Sequence, residues 1–377
     1  PTRRTLLTTR TSTSGHNSGT FAQRIASIYR NPGSCESTSQ ELLCLQQTEG
    51  FRTNVGVLNS AGWDDSPVLK IYSSDGEYVG EVNTELGPFG VHQINNVLDK
   101  VDGGATDYGY AVLETCHWIK AYASVIDNRT GDAVYFPAQI LETEPGAGTH
   151  LWVVPAVASI EGASGTHWKS TLELFNPEDS SATVTLTLLE SGNPPPPLQQ
   201  RILTVESGQA LRVDDVVEGL FGRQTTGALL MESATALHST SRSFTAYPLA
   251  GGFEGTFGQQ VPTIPSSDLL TEGRPSRLLN LREDVSYRSN VGFVNPSPVP
   301  ALVEITGLSP IGTPLFTTTV SLDPWEHRQI NRFLNHVGEF EQATLALTVR
   351  QGTVAAYASI VDNITGDPVF LNTLDPQ

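Results

Sequence analysis

Residues 121–134 read AYASVIDNRTGDAV and residues 356–369 read AYASIVDNITGDPV, so ten of fourteen positions recur identically 235 residues apart. An internal repeat decides the fold before any site is considered, because a repeated segment is one supersecondary unit used more than once. In both copies an alternating run of small and aliphatic residues leads into Asp-Asn-x-Thr-Gly-Asp. Period-two alternation marks a strand. The Asn/Gly/Asp cluster supplies positive-φ positions and side chains that bond nearby amides, so the stretch is a hairpin tip.

The repeat extends outward from that tip. Residues 42–59, LLCLQQTEGFRTNVGVLN, align without a gap on residues 278–295, LLNLREDVSYRSNVGFVN, while Gln93-Ile94-Asn95 and Gly19-Thr20-Phe21 return as Gln329-Ile330-Asn331 and Gly255-Thr256-Phe257. A fainter half-period relates Phe51-Arg52-Thr53 ending at Asn59, Trp168-Lys169-Ser170 ending at Asn176, and Tyr287-Arg288-Ser289 ending at Asn295. The expected organisation is therefore residues 1–29 as the closing hairpin of an incomplete or shared module, then β-sandwich modules at 30–149, 150–265 and 266–377. The third closely repeats the first. Short linkers rich in Pro and Gly predict a rod of limited flexibility.

Each module carries one helical signal. Apolar residues fall at i, i+3, i+4 and i+7 in Ile94-Val97-Leu98-Val101, Val213-Val216-Val217-Leu220 and Ile330-Phe333-Leu334-Val337, with Asn95, Asp214 and Asn331 placed to cap a short helix. Six or seven short strands surround it, with turns at the spacing of antiparallel sandwiches. The fold class is all-β: tandem antiparallel β-sandwich (Ig-like) domains, each with one short helix.

Composition narrows the function. Forty Asp and Glu against 22 Lys and Arg give a net charge of −18, which repels phosphate backbones and argues against nucleic-acid partners. No run of about 18 apolar residues is present to span a membrane as a helix. The chain opens on Pro1 without a signal peptide, as expected of a processed or partial chain exported before trimming. Residues 1–28 resemble the last hairpin of the middle module, and a lone hairpin is unstable in water. Either the polypeptide continues upstream or the hairpin completes a neighbouring molecule by strand addition.

Candidate sites are few. Asp127, Asn128 and Asp132, like Asp362, Asn363 and Asp367, offer oxygens for calcium in a compact loop, though without EF-hand spacing, and Asx turns use the same residues. Asn128-Arg129-Thr130 and Asn363-Ile364-Thr365 are glycosylation sequons at turn tips. Cys35 and Cys44 flank a short polar loop and are the candidate disulfide, leaving Cys116 over. The eight histidines show no metal-protease spacing, no GxSxG elbow exists, and no Gly-rich loop carries a phosphate-binding Lys. No cofactor other than calcium is implied, and no catalytic residue is assigned.

The strand ending in Asn and the DNxTGD hairpin resemble, at the level of architecture, the immunoglobulin-like and fibronectin-III-like β-sandwich repeats of microbial secreted and surface proteins. Modules in series give length, and edge strands give a route to head-to-tail association. The expected function is therefore that of a non-enzymatic extracellular or cell-surface structural protein: a filament subunit, stalk or adhesin self-associating into a linear homopolymer by strand addition through its N-terminal hairpin. The alternative is a carbohydrate-binding array contacting surface glycans through exposed tryptophans.

Overall fold

The computed structural model describes residues 7–14, 19–25, 37–101, 107–116, 118–140, 148–162, 166–192, 198–248, 254–335 and 337–374. Cys35 and the polyproline run 193–197 lie outside the described residues. The chain is all-β, and its sheets are antiparallel.

An N-terminal hairpin of β1 (Thr9–Ser14) and β2 (Thr20–Ile25) forms a two-stranded sheet of its own. The first module follows with β3 (Ser37–Gln46), β4 (Phe51–Asn59), β5 (Val68–Ser73), β6 (Tyr78–Asn83), β7 (Val91–Ile94), β8 (Tyr108–Cys116), β9 (Ile119–Asp127) and β10 (Ala133–Pro137). Its two sheets run β3-β8-β5-β6 and β10-β9-β4-β7. The second module has β11 (His150–Glu161), β12 (His167–Phe175), β13 (Ala182–Glu190), β14 (Gln199–Val205), β15 (Ala210–Val213), β16 (Thr225–Ser233), β17 (His238–Pro248) and β18 (Glu254–Pro262). Here β11 bulges between Val154 and Val157 and pairs with both β16 and β12, fusing the two layers into one nine-stranded sheet that includes β19 (Ile264–Pro265). After β20 (Leu270–Thr271), the third module repeats the order with β21 (Ser276–Glu283), β22 (Tyr287–Val294), β23 (Ala301–Leu308), β24 (Pro314–Leu322), β25 (His327–Ile330), β26 (Phe340–Gln351), β27 (Thr353–Asp362) and β28 (Pro368–Asn372). One topology thus occurs three times, with first, sixth, third and fourth strands in one layer and eighth, seventh, second and fifth in the other.

Alternation along the strands makes the layers. In β23 every second residue, Ala301, Val303, Ile305 and Gly307, is buried while its neighbours are half-exposed. The inward faces of both layers in module one, including Leu42, Val55, Leu69, Leu113 and Ile119, meet in a single core.

The recurrent Asn explains itself. Asn59 Nδ2 donates to Trp63 O at 2.7 Å and Gly87 O at 3.1 Å, Asn176 Nδ2 to Ser180 O and Val205 O, and Asn295 Nδ2 to Val299 O and Asp323 O. One fully buried amide therefore ties two loops together at the same end of each sandwich.

The predicted helix shrinks to a turn. Val97–Lys100 is a 3₁₀ turn, Val216–Leu220 a single π-type turn, and residues 331–335 form turns only. The apolar stripe is real, with Val97, Leu98, Val216, Val217, Phe333 and Leu334 buried, but four or five residues are too few to nucleate an α-helix. The expected caps lie one residue early: Asn96, Asp215 and Arg332 hold the left-handed conformation, at φ 51°, 48° and 50°.

The modules do not form a rod. Phe175 and Ala210 of module two enter the core of module one, Tyr357 and Phe370 of module three enter that of module two, and Val153, Leu230, Leu269, Val294 and Ala355 form an apolar seam between modules two and three. β2, β10, β18 and β28 line one cavity of about 80 Å³, so the eighth strands of all three modules converge with the N-terminal hairpin. Burial at these seams, rather than the short linkers, sets the arrangement.

The second seam contains a buried histidine. His327 Nδ1 lies 2.6 Å from Ser191 Oγ and Nε2 lies 3.1 Å from Tyr357 Oη. Burial lowers its pKa from 6.5 to about 4, so the folded chain holds it neutral. The unfolded chain takes up a proton below 6.5, and stability is lost as pH falls from there through about 4. The expected loss is about 3 kcal/mol. Denaturation series between pH 7 and 4 should show this slope in the native sequence and a flatter one in His327→Gln.

Candidate functional site: the turn and hairpin clasp

Both DNxTGD segments fold as expected. Asp127 N donates to Asp132 O at 2.8 Å and Gly131 N to Asp127 O at 2.9 Å, while Asp127 Oδ1 accepts from Arg129 N and Thr130 N at 2.8 and 3.0 Å. Asp362 does the same with Asp367, Gly366, Ile364 and Thr365. Gly131 and Gly366 sit at φ 76° and 78°, which glycine tolerates without strain. Asn128 Oδ1 accepts from Arg52 and Asn363 Oδ1 from Arg288, and both asparagine side-chain amides donate to the loop before the second strand. The basic residues at matching positions therefore pin the turn to that strand.

The outer oxygen of each aspartate reaches beyond its own module. Asp127 Oδ2 accepts from Thr256 N at 2.7 Å and Thr256 Oγ1 at 2.9 Å, Asp132 Oδ2 accepts from Gly258 N at 3.0 Å, and Thr130 Oγ1 donates to Thr256 O at 2.8 Å. These bonds fasten β18 of module two to module one. The N-terminal hairpin repeats the set on module three. Asp362 Oδ2 accepts from Thr20 N and Oγ1, each at 2.9 Å, Asp367 Oδ2 accepts from Ala22 N at 2.8 Å, and Thr365 Oγ1 donates to Thr20 O at 2.8 Å.

The supporting residues match as well. Arg242 bonds Thr256 Oγ1 at 2.8 Å and lies 5.5 Å over the Phe51 ring, as Arg10 bonds Thr20 Oγ1 at 2.8 Å and lies 5.2 Å over Tyr287. A Cβ on Gly255 would come 2.5 Å from Thr130 Cγ2, and one on Gly19 the same distance from Thr365 Cγ2. Close backbone approach is what these two glycines are for.

Electrostatics differ within each turn. Burial pushes Asp362 up, but bonds from Thr365, Ile364 and Thr20 outweigh it and hold the carboxylate below its ordinary value. Asp132 is pushed by burial from 3.8 up to about 7 despite Arg242 and the Gly258 amide, and burial together with the charge of Asp132 holds Asp367 well above the ordinary range. Asp132 Oδ1 and Asp367 Oδ1 are buried without hydrogen-bond partners.

The residues singled out from sequence thus act as turn and clasp groups. Both oxygens of Asp127 and of Asp362 accept from protein donors, so a cation there would have to displace them. The threonine hydroxyl of each sequon is bonded within the clasp; Asn128 is exposed and Asn363 half-buried.

The expected Cys35–Cys44 bridge is not formed. Cys44 is a free, buried thiol at φ 64°, and Cys116 is disulfide-bonded; Cys35 is the one other cysteine in the chain. Cys44 occupies the bulge of β3, a positive-φ position held by Asn280 in module three, and its amide donates to Glu173 Oε1 at 2.6 Å across the seam to module two. Burial, then the Glu173 charge, pushes the thiol well up.

The pairing of turn with hairpin is not among the expectations drawn from the sequence. A signal existed, because Gly-Thr-Phe and the turn return at nearly the same offset. Comparison with family models, with curated proteins and with solved structures returns no match.

Proposed function

We propose that this is a non-enzymatic structural protein of the cell exterior, a filament subunit, stalk or adhesin built from immunoglobulin-like sandwich repeats that join by hairpin and turn. One observation carries the reading: module three holds the N-terminal hairpin through the same bonds with which module one holds module two. Every molecule therefore owns one donor hairpin and one matching acceptor turn. Exchange of that hairpin between molecules keeps every contact and produces a heterologous, head-to-tail homopolymer. Attachment runs through carboxylates and backbone amides, and the hairpin adds no strand to the sheets of module three.

Light scattering after chromatography, with electron microscopy, tests this. Full chain concentrated after brief partial denaturation should form head-to-tail oligomers, and a chain lacking residues 1–25 should stay monomeric and bind an added peptide of residues 7–25. A full chain that remains monomeric while exchanging its hairpin for that peptide would overturn the proposal.

The carbohydrate-binding alternative has one supporting feature. Trp63 is 48% exposed and Phe89 57% exposed, and a Cβ added at Gly62 would lie 3.6 Å from the Phe89 ring. Trp118, Trp152, Trp168 and Trp325 are buried or half-buried, so no tryptophan row accompanies them. Tryptophan quenching by polysaccharide, lost in Trp63→Ala, would favour this reading instead.

A further inference from the structure

Three side chains of the second module converge outside the clasp. His167 opens β12, Asp215 and Glu218 belong to the π-type turn, and one ligand atom from each lies within 4.8 Å of the others. The imidazole is already oriented, with Nδ1 2.8 Å from Glu161 Oε1 and Nε2 enclosed without a hydrogen-bond partner. A carboxylate on one nitrogen fixes the tautomer and leaves the lone pair on the other, which is how proteins present histidine to a metal.

Both carboxylates are also held. Asp215 is in the left-handed conformation at φ 48° and ψ 64°, its Oδ1 accepts from Glu218 N at 3.3 Å, and the buried Ser159 hydroxyl lies 3.1 Å from Asp215 Oδ2 and 3.4 Å from Glu218 Oε2. The fold does not require this set. Module one has Gly50, Asn96 and Asp99 at the matching positions, and module three has Ser286, Arg332 and Asn335, with Arg332 paired instead to Glu283 at 2.7 Å.

We propose that His167 Nε2, Asp215 and Glu218 bind a first-row divalent cation of the zinc class, leaving a further coordination position open to water or to an anionic group. One imidazole with two carboxylates suits zinc, manganese or cobalt better than calcium or magnesium, which favour all-oxygen shells. Ligand bonds of about 2.0–2.2 Å require the three atoms to draw together, and exposed Glu218 moves inward by giving up its long contacts with Ser159 Oγ at 3.4 Å and Gln224 Nε2 at 3.2 Å. Lys169 Nζ, 3.5 Å from Asp215 Oδ2 and 43% exposed, supplies positive charge there now and swings into solvent when the cation enters.

Calorimetric titration of the full chain with zinc, and the visible absorption of bound cobalt, test the site. One saturable equivalent is expected. His167→Ala and Glu218→Gln should each weaken it about tenfold or more, and Glu161→Gln should weaken it about tenfold through ring orientation. Lys169→Met should tighten binding, and His150→Ala should leave it unchanged. Glu218 is exposed, so its variant tests the site even if His167→Ala fails to fold. Absence of one-equivalent binding by folded protein, or binding indifferent to Glu218→Gln, overturns the proposal.

Discussion

Substituting Gly292 by alanine should destabilise the protein by about 3 kcal/mol, the upper end of overpacking costs. A Cβ at Gly292 would overlap the Tyr357 ring lying across it from β27. That ring has nowhere to go. Tyr357 is 1% exposed, stacks 5.2 Å from Phe370, and bonds His327 Nε2 and Gln329 Oε1 at 3.1 and 3.0 Å. The matching substitution in module one, Gly56→Ala, meets Tyr122, which is only half-buried and bonds Gln93 Oε1 at 3.2 Å. Tyr122 can swing outward, so about 1 kcal/mol is expected there. Urea denaturation of both variants makes the comparison, and equal losses would show that burial of Tyr357 in the seam does not set the cost.

Asp132→Asn should stabilise the protein at pH 8 by on the order of 2 kcal/mol and give no gain at pH 4. The unfolded chain ionises this carboxyl near 3.8, whereas the folded chain holds its proton until about 7. Below 3.8 both states are protonated. As pH rises through that window the unfolded state releases a proton that the native state keeps, so native stability falls, and above about 7 the full cost is present. Asparagine removes the charge while its carbonyl still accepts from Gly258 N. Part of the gain is offset because Arg242, buried and facing Asp132 and Asp127, loses one anion. Asp367, relieved of the neighbouring charge, should ionise at lower pH. Thermal melts from pH 4 to 8 provide the check. Equal destabilisation at both ends would mean that Asp132 works as the ionised partner of Arg242.

Local pattern made much of the fold legible. The alternation in AYASVI specified a strand, DNxTGD specified a tip, and the terminal Asn marked where each second strand stops; all three depend on neighbours within a few residues. The expected helix does not form because an apolar stripe reports which face is buried, whereas length decides whether an α-helix nucleates. The expected disulfide fails for a similar reason. Cys35 and Cys44 are close in sequence, but the bulge in β3 places Cys44 against Glu173 of another module.

The chain's own residues determined three copies of one strand order, the turn chemistry and the extra hairpin, because hydrophobic period and turn propensity are written locally. Tertiary structure alone decided that the copies close around their eighth strands, that Asp127 and Asp362 grip hairpins 129 and 342 residues away in sequence, and that His167 meets Asp215 and Glu218. Such meetings follow from which apolar seams are buried, and no period in the sequence records which seam will face which.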